Sequence, residues 1–305
     1  MLQGLKNKKE IIRLRAEILH KIREFFRKRG FIEVETPFLL PYVIPESYID
    51  AIKTEDGYLH TSPELCMKLL LASGYEKIFQ ICKCFRKGEK GKLHLPEFTM
   101  LEWYHVGIDY NGLMQECESL ITFLCRELSG KEMLRYKAKE IDLSPPWQKL
   151  TVHEAFRRYA SVSLDEAMDK GIFEEVIVSE IEPKLGIEKP VFLKDYPVSM
   201  AALSKIKDNY AERFELYICG LELANGYTEL TDMKEMRERL KKENEKRKEL
   251  KKEPYPMPDA FFLKVKQLPD CSGIALGIDR LIMLFCNEED INNVVAITSE
   301  DLTYC

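Results

Sequence analysis

From Lys8 to Arg29 apolar side chains recur at Ile11, Leu14, Ile18, Ile22, Phe25 and Phe26. That is the spacing of one helix face, and Gly30 supplies the stop. Phe31 to Thr36 alternates instead, which predicts a strand closed by Pro37. Ser62 and Pro63 predict the cap and first position of a short helix, Glu64 to Ser73. Two runs, Ile78 to Arg86 and Glu97 to Val106, predict strands flanking a charged, glycine-bearing loop. A helix follows from about Tyr110 to Leu128. Phe214 to Tyr227 predicts two short strands turning at Gly220, and Lys234 to Lys252 a charged helix. Cys271 to Phe285 predicts a strand, Gly277, then an amphipathic helix. Residues 130–205 mix short pieces and carry the least pattern. No repeat, low-complexity tract or linker divides the chain, so a single domain over 1–305 is expected.

Strand parity assigns faces. Gln80, Cys82, Cys84 and Arg86 share one side of the first strand; Phe98, Met100, Glu102 and Tyr104 share one side of the second. Residues four apart span about 13 Å. One face therefore has room for an aromatic base near Phe98 and a cationic group near Glu102 and Tyr104. The loop between them offers Arg86, Lys87, Glu89, Lys90, Lys92 and His94, the mostly cationic set that a polyphosphate requires. Charges pointing inward from such strands are costly without partners. Glu215 and Glu222 flank the Gly220 turn and can approach across paired strands. Asn225 and Glu229 share parity but Glu222 does not, so a bulge is expected near Asn225 and Gly226.

Composition narrows the class. Apolar residues at 45% and charged residues at 32% exclude a wholly disordered chain. Lysine and arginine number 46 against 51 aspartates and glutamates, for a net charge of −5. A generally basic nucleic-acid coat is excluded, although Lys234 to Lys252 holds ten Lys/Arg against five Glu. No run approaches the ~20 apolar residues of a membrane span; Ile274 to Phe285 is broken by Asp279 and Arg280. The charged N-terminus has no apolar signal core, so a cytoplasmic protein with no membrane attachment is expected. The nine scattered cysteines do not make a disulfide framework. Cys82 and Cys84 form a C-x-C pair, but no second pair has zinc-finger spacing, and reduced thiols in a strand are the plainer reading.

The string CFRKGEKGKLHLPEFTMLEWY at 84–104 resembles motif 2 of the class II aminoacyl-tRNA synthetase fold in its lysine-handling branch. GFIEVETPFL (30–39) is similar to motif 1, the family's dimer interface, and SGIALGIDRLIMLF (272–285) to motif 3. LHTSPEL (59–65) and FELYICGLELANGYTEL (214–230) resemble the segments between. The implied fold is α+β, a mixed, mostly antiparallel sheet flanked by helices. Two departures sort the branch: the helix of motif 1 starts almost at residue 1, so no N-terminal anticodon-binding β-barrel is expected, and Ala275 stands where lysyl-tRNA synthetases have glycine. Both resemble the truncated elongation factor P–(R)-β-lysine ligases.

That resemblance implies an ATP-dependent ligase that adenylates (R)-β-lysine or lysine and transfers it to a lysine of elongation factor P. It implies a homodimer through motif 1 and no tRNA partner. Arg86 would bridge the α-phosphate and the substrate carboxylate, a task for a planar bidentate donor. Phe98 would stack under adenine with Arg280 over its other face, and His94 and Arg280 would reach the γ-phosphate. Glu215 and Glu222 would hold Mg²⁺. Glu102, Tyr104 and Glu229 would cage the side-chain ammonium. Glu64 would take the other amino group, with Ser62 beside it, and Asn225 the carboxylate; Ala275 would floor the pocket. The family's adenine-reading glutamate is replaced by Gly88, with Glu89 one residue later as its substitute. The competing expectations are a lysyl-tRNA synthetase stripped of its anticodon module and a catalytically inactive synthetase-like binding protein.

Overall fold

The computed structural model describes Lys6 and residues 8–302; Cys305, counted above among the scattered thiols, lies outside them. Helix α1 (Lys9–Lys28) buries Ile18, Ile22, Phe25 and Phe26, the predicted stripe. It ends where Gly30 takes a φ of +80°, a conformation only glycine adopts freely. Strand β1 (Ile32–Glu33) is shorter than its alternating pattern suggests. It pairs parallel with β2 (Lys77–Phe85), and beyond Glu33 the ladder continues only through the Val34 amide to the Phe79 carbonyl.

Helix α2 (Glu64–Ala72) starts at the expected residue, but its cap differs. Pro63 occupies the cap position, and the Ser62 hydroxyl lies a distant 3.5 Å from the Glu64 amide. Strand β3 (Glu97–Val106) returns antiparallel to β2. Helix α3 (Tyr110–Ser129) is capped by Asp109, which accepts from the Asn111 and Gly112 amides. The poorly patterned third contributes β4 (Gln148–Thr151) and β5 (Val191–Pro197), with their own core around Phe156, Phe173 and Tyr196. Strands β6 (Tyr210–Ile218) and β7 (Leu221–Thr228) meet at Cys219 and Gly220, with φ +52° and +73°. Two positive φ values in a two-residue loop match the strand twist. Helix α4 (Met233–Glu249), strand β8 (Cys271–Gly277) and helix α5 (Ile278–Cys286) complete the main elements.

The main sheet runs β1-β2-β3-β8-β7-β6-β5-β4, with Ile206–Lys207 paired to β6. All neighbours are antiparallel except β1/β2 and β4/β5. The α+β expectation holds. Phe79, Leu101, Trp103, Ile274 and Leu276 point to one side, where α1, α3 and α5 seal them into the largest core. Strand parity then sends Gln80, Cys82, Cys84, Phe98, Met100, Glu102 and Tyr104 to the opposite face. That face carries the site.

Candidate active site

A half-open cleft with an internal volume of about 180 Å³ crosses β3, β8 and β7. Arg86, Glu89, His94, Phe98, Glu222 and Arg280 line one end; Asn225 and Ala275 line its floor. Seven of these eight come from β3, β8, β7 and the loop after β2; Arg280 comes from the first turn of α5.

Arg86 follows directly on β2, its amide donating to the Pro96 carbonyl at 2.9 Å. Its guanidinium lies 5.0 Å over the Phe98 ring and 3.9 Å from the Glu89 carboxylate, and its buried Nε has no partner. Gly88 has φ +80°, a turn that brings Glu89 to the cleft. Arg280 donates through Nη1 to the Glu222 carbonyl at 2.8 Å and lies 3.4 Å from its carboxylate. Its Nη2 stands 2.7 Å from His94 Nε2. Burial, then the Arg280 charge, pushes the His94 pKa down, so a neutral imidazole accepts that bond. Asp279 beside it is 2% exposed and holds α5 in place: its Oδ1 accepts from Arg15 on α1 at 2.6 Å, its Oδ2 from the Thr99 amide at 2.7 Å.

Glu215 and Asn225 face each other in register, with Asn225 Nδ2 donating to Glu215 Oε1 at 3.1 Å. Arg213 donates to the same oxygen at 2.6 Å, and the Tyr217 hydroxyl donates to Oε2 at 2.7 Å. The expected bulge exists, but not where parity suggested. The register skips between Leu216–Ala224 and Tyr217–Glu222, so the extra residue is Leu223, not one at Asn225 and Gly226. It sits where it brings Glu222 round to the cleft, closer to the turn than parity alone indicated.

Glu222 holds its proton up to about 7, mainly through burial and then through Glu215. The unfolded chain releases this proton near an ordinary carboxylate value, so native stability declines as pH rises from about 4.5 to 7. A Glu222→Gln variant should therefore gain thermal stability over wild type through that window and show no gain below it. The gain is small, because about a third of this side chain meets solvent. Parallel melting curves at every pH would refute the assignment.

Below Ala275 lies a buried acidic pocket. Ala275 pairs with Glu102 on one side and Asn225 on the other. Glu102 is 2% exposed, its Oε1 accepts from the Tyr104 hydroxyl at 2.7 Å, and its Oε2 has no partner. Burial, then Glu64, raises its pKa well above the carboxylate range, so it is held protonated. Gly273 permits the crowding: a Cβ there would meet Tyr104 Cε1 at 2.2 Å and Glu229 Oε1 at 2.6 Å.

One residue that the sequence did not single out dominates this pocket. Lys68 is fully buried, its Nζ 2.5 Å from Glu64 Oε1 and 2.7 Å from Glu229 Oε2. Burial works against its charge, but Glu229 and Glu64 outweigh that and hold it ionised. Burial likewise pushes Glu229 up to about 8 against the pull of Lys68. Tyr227 donates to Glu64 Oε1 at 2.9 Å, and Gln80, opposite Glu102, is buried with neither end bonded. Glu64 and Lys68 do stand four apart on α2, a legible ion-pair spacing. What was not legible is that the pair is inside. Ser62 joins neither group: it lines a separate small cavity with Thr61 and Leu65.

Two guanidinium groups line a cleft that adjoins, at Ala275, a cluster of buried carboxyls, an arrangement suited to activating an acid with a nucleotide. The chain belongs to the family of tRNA synthetases class II (D, K and N), with residues 4–300 matched. Among curated proteins it is 39% identical to the elongation factor P–(R)-β-lysine ligase of Vibrio atlanticus, over 93% of this chain and 94% of the relative. It is 38% identical to that of Pectobacterium carotovorum, over 94% of each. A homologue of the same ligase in Aquifex aeolicus is 36% identical over 90% of this chain and 94% of the relative. The chain is thus a class II synthetase-like ligase. No helix among the described residues is long and apolar enough to cross a membrane.

Proposed function

We propose that this protein adenylates (R)-β-lysine, or lysine, and transfers the aminoacyl group to a lysine side chain of elongation factor P. The observation that carries this reading is that the cationic cleft and the buried acidic cluster are neighbours on one sheet face, with Ala275 of the cleft paired to Glu102 and to Asn225. A substrate carboxylate oxygen attacks the α-phosphorus of ATP and pyrophosphate leaves. The acceptor amine, after losing a proton, then attacks the acyl carbon and AMP departs with the bonding electrons. Neither step calls for a nucleophile from the protein; the site supplies position and charge.

Arg86 faces the reacting carboxylate and α-phosphate, with Phe98 beneath the adenine. Arg280, already bonded to His94, takes the phosphate tail, and Glu89 sits within reach of the base. The carboxyls of Glu215 and Glu222, crowded enough for one to retain its proton, fit a divalent cation, and Mg²⁺ held there would neutralise phosphate charge. Asn225, with a buried unbonded Oδ1, borders the substrate's acid end. Glu102, Tyr104 and Glu229 receive the side-chain ammonium, and Glu64 the second amine. Incubation of elongation factor P with ATP and each lysine isomer, read by mass, tests the whole. A modified factor with β-lysine supports it; charged tRNA with the factor unmodified under the same conditions overturns it.

The Ala275 methyl stands at the junction of the two compartments, so Ala275→Gly should shift activation toward α-lysine over β-lysine by about tenfold in pyrophosphate exchange. An unchanged ratio would leave Ala275 as a small core residue. Acceptor docking is assigned to α4. Lys241, Lys242 and Lys246 are exposed on it. Arg247 ties the helix to the Glu46 and Ile49 carbonyls, and the Asp50 carbonyl accepts from Lys87 at the cleft mouth. Reversing the three lysine charges should slow modification of the factor about tenfold at low salt while pyrophosphate exchange stays constant. Equal acceptor rates would remove the idea. Ile32, Phe38 and Leu39 in the motif 1 segment are exposed apolar residues, which supports a homodimer there.

A further inference from the structure

Beside the cleft, on the same face of the sheet and against Phe98 and Ala275, three side chains converge that the ligase reaction leaves unused. Cys82 and Cys84 project from the same face of β2, their Sγ atoms 3.9 Å apart. His60, from the loop before α2, brings Nε2 to 4.0 Å from Cys84 Sγ. The three ligand atoms lie within 4.8 Å of one another, and all three residues are buried. Met100, opposite Cys82 in register, adds a thioether 3.9 Å from Cys84 Sγ.

We propose that His60, Cys82 and Cys84 form a binding site for one thiophilic d¹⁰ metal ion, zinc(II) or copper(I). Two thiolates on a tetrahedral zinc at about 2.3 Å stand roughly 3.8 Å apart, close to the separation found here. The set is soft, two thiols and an imidazole with a thioether at the edge, which selects such ions over Mg²⁺. A disulfide fits worse. Residues two apart on a strand have Cα atoms about 6.6 Å apart, near the upper limit for bridging, with side chains pointing in parallel.

As it stands, His60 Nε2 donates to the Lys83 carbonyl at 2.6 Å, Phe38 stacks on the ring, and buried Nδ1 has no partner. Ligation therefore requires the ring proton to move to the unused Nδ1 and Nε2 to turn from that carbonyl toward the thiols, the Cys84 Sγ being 4.0 Å away. Binding then exchanges two thiol protons for two metal–sulfur bonds, with no oxidant or reductant required.

The test uses the full chain, reduced and stripped by a chelator. Zinc(II) and copper(I) are titrated separately against a chromophoric competitor, with cobalt(II) as the optical probe. One ion per chain with a thiolate-to-cobalt charge-transfer band is expected, together with a rise in melting temperature on adding zinc. Cys84→Ser and His60→Gln should each weaken binding tenfold or more; circular dichroism of both variants establishes that they fold. Binding equal to wild type in a folded Cys82→Ser/Cys84→Ser variant overturns the site. So does an ion lost in Glu222→Gln and retained in Cys84→Ser, since that ion sits on the carboxylates. Copper(I) binding that weakens in Cys84→Ser, with zinc indifferent, supports the site and identifies its metal.

Discussion

Replacing Arg86 with lysine should lower β-lysine-dependent pyrophosphate exchange by about 10²- to 10³-fold, the loss typical of removing one donor aimed at developing charge. The effect should fall on kcat more than on the KM for ATP, because in the proposed role the guanidinium would meet the pentavalent phosphate more closely than the ground state. Lysine keeps the charge and loses the planar pair of donors. It also loses the guanidinium's seat over Phe98. The present geometry shows a side chain in waiting: Arg86 leans on the aromatic ring, 3.9 Å from Glu89, with a buried Nε unbonded. Exchange within about threefold of wild type would mean that Arg280 alone serves the phosphates.

The second large effect concerns stability. Lys68→Met should cost about 3–5 kcal/mol in urea unfolding, the range for removing one partner of a buried ion pair. Lys68 is the counterion found within bonding distance of both Glu64 and Glu229. Without it, Glu64 and Glu229 must ionise unpaired or take up protons, and Glu229 already resists ionisation until about 8. Combining Lys68→Met with Glu64→Gln and Glu229→Gln should recover part of the loss, since neutral amides do not need the ammonium. That coupling separates an electrostatic role from a packing one. A single variant that unfolds within about 1 kcal/mol of wild type would show that the ammonium is not what holds these carboxyls.

The pocket's charge also bears on selectivity. Burial holds Glu102 neutral and keeps the Glu229 proton on up to about 8, while Lys68 pairs with Glu64. A diamino acid brings one positive charge in excess, and its second ammonium would draw the proton off one of these two carboxyls. A substrate with a single amine forgoes that pairing, which is the form of rejection that a site built on polar contacts exerts most strongly.

Much of this was legible because secondary structure is a local property. The stripe on α1, the strands on either side of the 86–96 loop, and the turn at Gly220 follow from periods of 3.6 and 2 that the backbone imposes on any sequence. The same periodicity placed Phe98, Met100, Glu102 and Tyr104 on one face; Phe98 and Met100 line the cleft, and a hydrogen bond joins Tyr104 to Glu102. The string shared with motif 2 then supplied the chemistry. The stretch 130–205 was opaque because its elements are short, and short elements are stabilised by what they pack against rather than by their own pattern.

Where the acidic pocket closes was decided in three dimensions. Lys68 reads as an ordinary helix-surface lysine until α2 is laid against β3 and the end of β7. Its burial is a property of three segments distant in sequence, which no window of residues contains. The bulge at Leu223 is of the same kind. Parity demanded an extra residue somewhere before Glu229, but its position depends on register with β6, set by the Cys219–Gly220 turn and by Asn225 meeting Glu215. Sequence determined which side chains exist and which face each strand gives them. Tertiary packing determined which charges lose water, and desolvation is what turns a carboxylate, a lysine or a thiol into chemistry.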